Sequence, residues 1–132
     1  LSQRLKFRVL GGSLAVCRLA AKADIPEWVQ NSEFHCVTRT AEELSIVCSG
    51  ETVPQDVIAE RDWIALKLEG PFPLSMTGVL ASFLQPLAEA KIPIFALSTF
   101  DTDYVLIKQP HLERAVAALC AARHEKIEPE SV

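Results

Sequence analysis

The sequence predicts an α+β fold of two small tandem units, antiparallel sheets with helices on one face, and three observations predict it. The first half is written in short alternating apolar runs separated by turn residues. The second half interleaves such runs with two amphipathic helical stripes. The length of 132 residues suits one domain or two very small ones. With 49% hydrophobic and 23% charged residues, the chain has the balance of a core-forming protein rather than a disordered one.

In the first half, Leu5 to Leu10 and Ser13 to Ala20 alternate as strands about Gly11-Gly12, a favoured two-residue hairpin loop. Phe34 to Arg39 and Leu44 to Cys48 flank Thr40-Ala41-Glu42-Glu43 and read as a second hairpin. Asp24 to Val29, with Pro26 near a first helical position, and Pro54 to Ala59 each predict a short helical turn.

In the second half, Trp63 to Glu69 alternates as a strand that Gly70-Pro71-Phe72-Pro73 stops. Leu80, Phe83, Leu84, Leu87 and Ala88 follow one helix face, beginning near Met76 or Thr77. Pro86 lies inside that stripe and predicts a kink. Ile92 to Leu97 is a near-continuous apolar run, expected to be covered on both faces. Asp101-Thr102-Asp103 is a turn, Tyr104 to Lys108 the returning strand, and Leu112, Ala115, Val116, Leu119 and Cys120 a second helix opened by Pro110.

Strand, helix, strand, strand, helix is the order of a small ferredoxin-like unit. Such a unit wants a fourth strand, for which the tail His124 to Pro129 is a poor candidate; either the strand is missing or one from the first half fills its slot. The first half reads as a degenerate copy with helices cut to single turns. The expected division is residues 1–60 and 61–132, two βαββαβ units sharing strands in one body.

Charge excludes some partners. Thirteen basic against 17 acidic residues give a formal net charge of −4, with no run of Lys or Arg to track a phosphate backbone, so nucleic acid is not an expected partner. No apolar stretch approaches the roughly 20 residues of a bilayer span, which predicts a soluble protein with no membrane partner. Cys17, Cys36, Cys48 and Cys120 sit in apolar segments with no close-set pair, predicting free thiols and a reducing, cytoplasmic setting.

Two segments carry candidate binding chemistry. Glu69 to Leu80 is a strand-to-helix loop with small residues at the helix entrance, where unpaired N–H groups attract an anion and Gly78 permits close approach. The plainer reading is that Ser75 or Thr77 caps the helix. The second segment, Ala96 to Leu106, joins two strands through Asp101 and Asp103. Asp103 at a strand entrance can pair with a cationic group; the plainer reading is an Asx turn. A paired-carboxylate catalyst also needs a pocket and a partner, and no such set is visible. His35, His111 and His124 occur singly, without metal-ligand spacing, and read as satisfied surface or hairpin residues. His35 and Cys36 are neighbours on a strand and point to opposite faces. Trp28 and Trp63 read as core, with Trp28 a candidate contact residue.

At these segments the chain resembles the amino-acid-binding ACT-domain proteins related to the CASTOR arginine sensors and to the ACT regions of aspartate kinases. The resemblance covers residues 5 to 123 and is sharpest at Glu42-Glu43-Leu44-Ser45-Ile46-Val47, at Leu74-Ser75-Met76-Thr77-Gly78-Val79, and at Ser98-Thr99-Phe100 followed by Asp103. It implies a ligand held between two ACT units. Ser45 and Ile46 would contribute from the first unit, matching the family's Ser-Val pair with Ile in place of Val. Met76, Thr77 and Gly78 would address the ligand's backbone groups, while Thr99, Phe100 and Asp103 enclose its side chain. The arginine sensors carry an acidic residue at the helix entrance where this chain has Ser75-Met76-Thr77, so the resemblance extends to a polar or cationic amino acid rather than to arginine as such.

The expectation is therefore a non-enzymatic, cofactor-free regulatory protein that binds a free amino acid. The resemblance also implies a homodimer or a regulatory protein partner. The alternative is an interaction module that keeps the fold without the ligand.

Overall fold

A computed structural model describes residues 3–128. The chain divides into two compact units, a first of Gly12–Trp63 and a second of Leu1–Gly11 with Ile64–Val132. Each has its own apolar core. The architecture is mixed α+β, rich in strands, with two α-helices among the described residues.

The first unit contains β2 (Leu14–Leu19), following β1 (Lys6–Val9) of the second unit, then β3 (His35–Arg39), β4 (Leu44–Ser49) and the opening of β5 (Ala59–Leu68). Its strand order is β3-β4-β2-β5. The β3–β4 hairpin forms as predicted: Arg39 pairs with Leu44, and the Thr40 amide donates to the Glu43 carbonyl at 2.9 Å. Helices are reduced to 3-10 turns at Glu27–Asn31 and Gly50–Thr52. The helical turn expected over Pro54 to Ala59 is reduced to a single turn, in which the Val57 amide donates to the Pro54 carbonyl at 3.3 Å, because Ala59 already pairs with Cys17 as the first residue of β5. Ala15, Cys17, Val29, Leu44, Ile46, Cys48 and Val53 form the core, with Trp28 packed against it half-buried.

Pairing between β2 and β5 slips by one residue between Leu14 and Val16, a bulge that places Asp62 at φ 66°. The Arg61 guanidinium donates to the carbonyls of Gly50, Val53 and Pro54, tying the preceding loop to β5.

The second unit adds α1 (Val79–Glu89), β6 (Phe95–Ser98), β7 (Asp103–Lys108), α2 (Leu112–Ala121) and β8 (Glu125–Ile127) to β1 and the latter part of β5. Here β7 pairs with β5 and β6, β1 lies antiparallel to β5, and β8 lies parallel to β1. The slot beside β5 is thus filled from the start of the chain, and the tail still forms a short strand one place further out. This also moves the division away from residue 60: β1 registers Phe7 against Leu68 and so belongs with the second half. The Gly11-Gly12 hairpin is not formed. Both flanking strands pair instead with different stretches of β5, Val9 opposite Leu66 and Leu14 opposite Trp63.

Phe7, Leu66, Leu68, Phe83, Leu87, Val105, Ile107 and Leu119 build this unit's core, where Phe7 and Phe83 meet edge-on at 5.5 Å. Helix α1 runs from Val79 to Glu89 with Pro86 inside it. β6 alternates half-buried and exposed and pairs with β7, so the run Ile92 to Leu97 is not covered on both faces. Buried His124 accepts from the Leu5 amide at Nδ1 (3.0 Å) and reaches the Ser82 carbonyl from Nε2 (3.0 Å), which makes it a core clasp rather than a surface residue. Arg8 donates to Glu69 at 3.1 Å, and that bond holds the Glu69 carboxyl below the usual carboxylate range. No helix among the described residues is long and apolar enough to cross a membrane.

Candidate functional site

The open end of the second unit is built by two loops fastened to each other. One leaves β5 through Gly70, where the peptide to Pro71 is cis, and runs to the start of α1. The other is the β6–β7 turn. Buried Thr102 donates from Oγ1 to the Leu68 carbonyl at 2.8 Å, and the Phe72 amide donates to the Asp101 carbonyl at 2.8 Å. Gly70 allows this approach: a Cβ there would stand 2.9 Å from the Asp101 carbonyl oxygen and 3.2 Å from Thr102 Cβ.

The turn is also closed on itself. The Thr99 amide donates to the Thr102 carbonyl at 2.9 Å, Thr99 Oγ1 donates to the same carbonyl at 3.1 Å, and the Thr102 amide reaches Thr99 Oγ1 at 3.3 Å. Ser98 Oγ donates to Asp103 Oδ1 at 2.6 Å, a short charge-assisted bond that leaves Oδ2 for another donor.

Helix α1 opens without a side-chain cap. Its N-cap is Gly78 in the left-handed region at φ 79°, so neither Ser75 nor Thr77 performs the capping considered above. The first turn keeps unpaired N–H groups and the positive end of the helix dipole. From the start of the chain, the Gln3 amide donates to Ser82 Oγ and its side chain donates to the Thr77 carbonyl, both at 3.1 Å.

Between the loops lies a cavity of about 180 Å³ lined by residues of both, among them Phe72, Met76, Val79, Thr99, Phe100 and Asp103. Leu74, Met76 and Phe100 are large apolar side chains left 73%, 44% and 79% exposed around it. Two carboxylates, Asp101 and Asp103, line it, and no basic side chain does.

Of the residues singled out in the sequence, Met76, Thr99, Phe100 and Asp103 come together here. Thr77 and Gly78 set the helix entrance without lining the cavity. Ser45 and Ile46 lie on β4 of the first unit, where Ser45 is partly buried and the Ile46 side chain is fully buried in that unit's core. The sequence placed Ser98 in the Ser98-Thr99-Phe100 pattern without a role of its own, and it gave no sign of the parts played by Phe72, Thr102 and Gly70. A threonine between two aspartates is a legible turn signal, but its bond to Leu68 crosses 34 positions and leaves no local mark. No group of three or more His, Cys, Asp or Glu suited to a metal occurs among the described residues.

The fold is ACT-like. The ACT-domain family model matches residues 58–121, and a model for the N-terminal domain of a second family matches residues 12–56. Residues 58–121 thus carry an ACT domain, and over part of its length the chain is similar to CASTOR proteins. The human putative protein CASTOR3P is 32% identical over 88 residues, 57% of this chain and 54% of that protein. The bovine cytosolic arginine sensor for mTORC1 subunit 1 is 26% identical over 98 residues, 66% of this chain and 30% of that protein. The chain thus spans about half or less of the length of these curated relatives. An Agobacterium tumefaciens protein of known crystal structure superposes with a TM-score of 0.91 at 38% identity, over 98% of this chain and 97% of that one. Solved aspartate kinases share the fold at identities between 10% and 16%.

Proposed function

We propose that this chain is a non-catalytic, cytoplasmic regulatory protein that holds a free amino acid at the loop end of its second unit. One observation carries the reading: Asp103 lines the cavity with one carboxylate oxygen fixed by Ser98 and the other open, among apolar walls, near an uncapped helix start. The ligand's carboxylate faces the helix N-terminus, and its side chain faces Asp103 and Asp101. Two acidic residues without a basic one favour a polar or cationic side chain. The arginine sensor among the relatives supports the class of ligand.

Regulation follows from population shift. A ligand touching both loops favours whichever arrangement of Leu74, Met76 and Phe100 it can bridge, and a partner reads that arrangement. The part that the resemblance gives to Ser45 is tested separately, by Ser45→Ala.

The experiment is a thermal-shift screen of the twenty amino acids. At about 100 times the dissociation constant, binding adds about 2.7 kcal/mol to stability. At least one amino acid raises the Tm, and Asp103→Ala removes the response. A flat response from all twenty favours the second reading, a ligand-free interaction module, which rests on the exposure of Leu74, Met76 and Phe100.

A further inference from the structure

We infer that the second unit carries another small-molecule site, a groove between the start of α2 and the β1–β8 edge that takes a zwitterionic amino acid with an apolar side chain. The groove encloses about 510 Å³, within the range of ligand pockets, and shares no lining residue with the loop-end cavity.

Its origin is the strand arrangement. β1 occupies the place beside β5 and displaces β8 outward, so the described residues of this unit form five strands and two helices. Five strands at about 4.8 Å each are about 24 Å wide. Two helices of about 10 Å each cover about 20 Å. The groove lies at that edge, between the opening turns of α2 and the β1–β8 pair.

The lining chemistry names the occupant. Val9 from β1 and Leu112 and Val116 from α2 give an apolar floor, and Pro110 walls one end. Two opposite charges border it, Glu113 in the first turn of α2 and Lys126 on β8, with the Gln109 amide beside them. No hydrogen bond or ion pair engages these three side chains among the described residues, so Glu113 and Lys126 do not neutralise each other. A fatty acid would satisfy Lys126 and meet repulsion from Glu113; an amine would do the reverse. A zwitterion answers both, its carboxylate on Lys126 and its ammonium on Glu113, and an apolar side chain covers Val9, Leu112 and Val116.

The test is a titration of the full chain with L-leucine followed by amide nuclear magnetic resonance. Two controls each lack one charge: 4-methylpentanoate, without the ammonium, and 3-methylbutylamine, without the carboxylate. Shifts centred on Val9, Gln109 to Val116 and Lys126, with leucine at least tenfold tighter than either control, are expected. Lys126→Met and Glu113→Gln, both exposed positions, each weaken leucine at least tenfold. The inference is overturned if millimolar leucine shifts nothing in the groove, if the shifts fall on Thr99 to Asp103 instead, or if leucine and the controls bind alike. The loop-end reading is judged by the Asp103→Ala response, so the two fail separately.

Discussion

Thr102 Oγ1 and the Leu68 carbonyl are joined by a buried 2.8 Å hydrogen bond that pins the β6–β7 turn to the end of β5. Thr102→Val keeps the shape and leaves that carbonyl without its partner, which costs about 1–3 kcal/mol. Urea unfolding measures the loss. The same variant reduces any ligand-induced rise in Tm, because the loop bearing Asp103 loses its anchor.

Gly70→Ala acts from the other side. Its methyl group would stand 2.9 Å from the backbone oxygen of Asp101, which cannot rotate away. The expected loss is about 1–3 kcal/mol. An amino-acid response that falls further than the stability does would show that the loops, and not the core, have moved.

His124 supports the same unit from within. His124→Leu orphans the Leu5 amide and the Ser82 carbonyl together, for an expected loss of about 2–5 kcal/mol. Hydrogen exchange checks the cause: protection of the Leu5 amide collapses, while amides of the β3–β4 hairpin keep theirs.

The thiols differ in reactivity. Burial first, and then the neighbouring Cys48, push the Cys17 thiol up to about 11, and burial raises Cys48 as well. At pH 8, iodoacetamide therefore labels exposed Cys120 and spares Cys17 and Cys48 until the chain unfolds. Stability follows with a definite sign. Below pH 9 the Cys17 thiol is protonated in both states; between 9 and about 11 the unfolded chain releases the proton and the native one keeps it. Stability falls as pH rises through that window, with a slope on the order of 1 kcal/mol per pH unit. Cys17→Ala flattens this part of the profile.

Asp62 sits in the left-handed region inside the β5 bulge. A β-branched residue there is strained, so Asp62→Val loses about 1–2 kcal/mol, whereas Asp62→Gly is near neutral. Chemical denaturation of the two variants separates a backbone requirement from a side-chain one.

Local chemistry made much of this legible. The Thr40 to Glu43 turn announced the β3–β4 hairpin, the stripe from Leu80 to Leu87 announced α1, and Asp103 stood out beside Thr99 and Phe100. What stayed hidden depends on distant pairing. Gly11-Gly12 looks the same whether its flanking strands fold onto each other or run along a third, and only the ten-residue length of β5 decides that. Glu125-Lys126-Ile127 has no strand signature; parallel pairing with β1 makes it one. Ile46 matched a ligand-facing pattern, but strand alternation turns its side chain into the first unit's core.

The placement of β1 also bears on how the protein is made. The first unit is an insertion between the opening strand of the second unit and the rest of it. A ribosome therefore delivers all of the insertion before β1 meets its partners. Arg8 waits for Glu69, 61 positions later, and Leu5 for His124, 119 positions later. Closing loops of that length is slow relative to local hairpins. The nascent chain is expected to complete the inserted unit first, to pair β1 once the latter part of β5 has emerged, and to leave the β8 edge of β1 open until the last helix has followed.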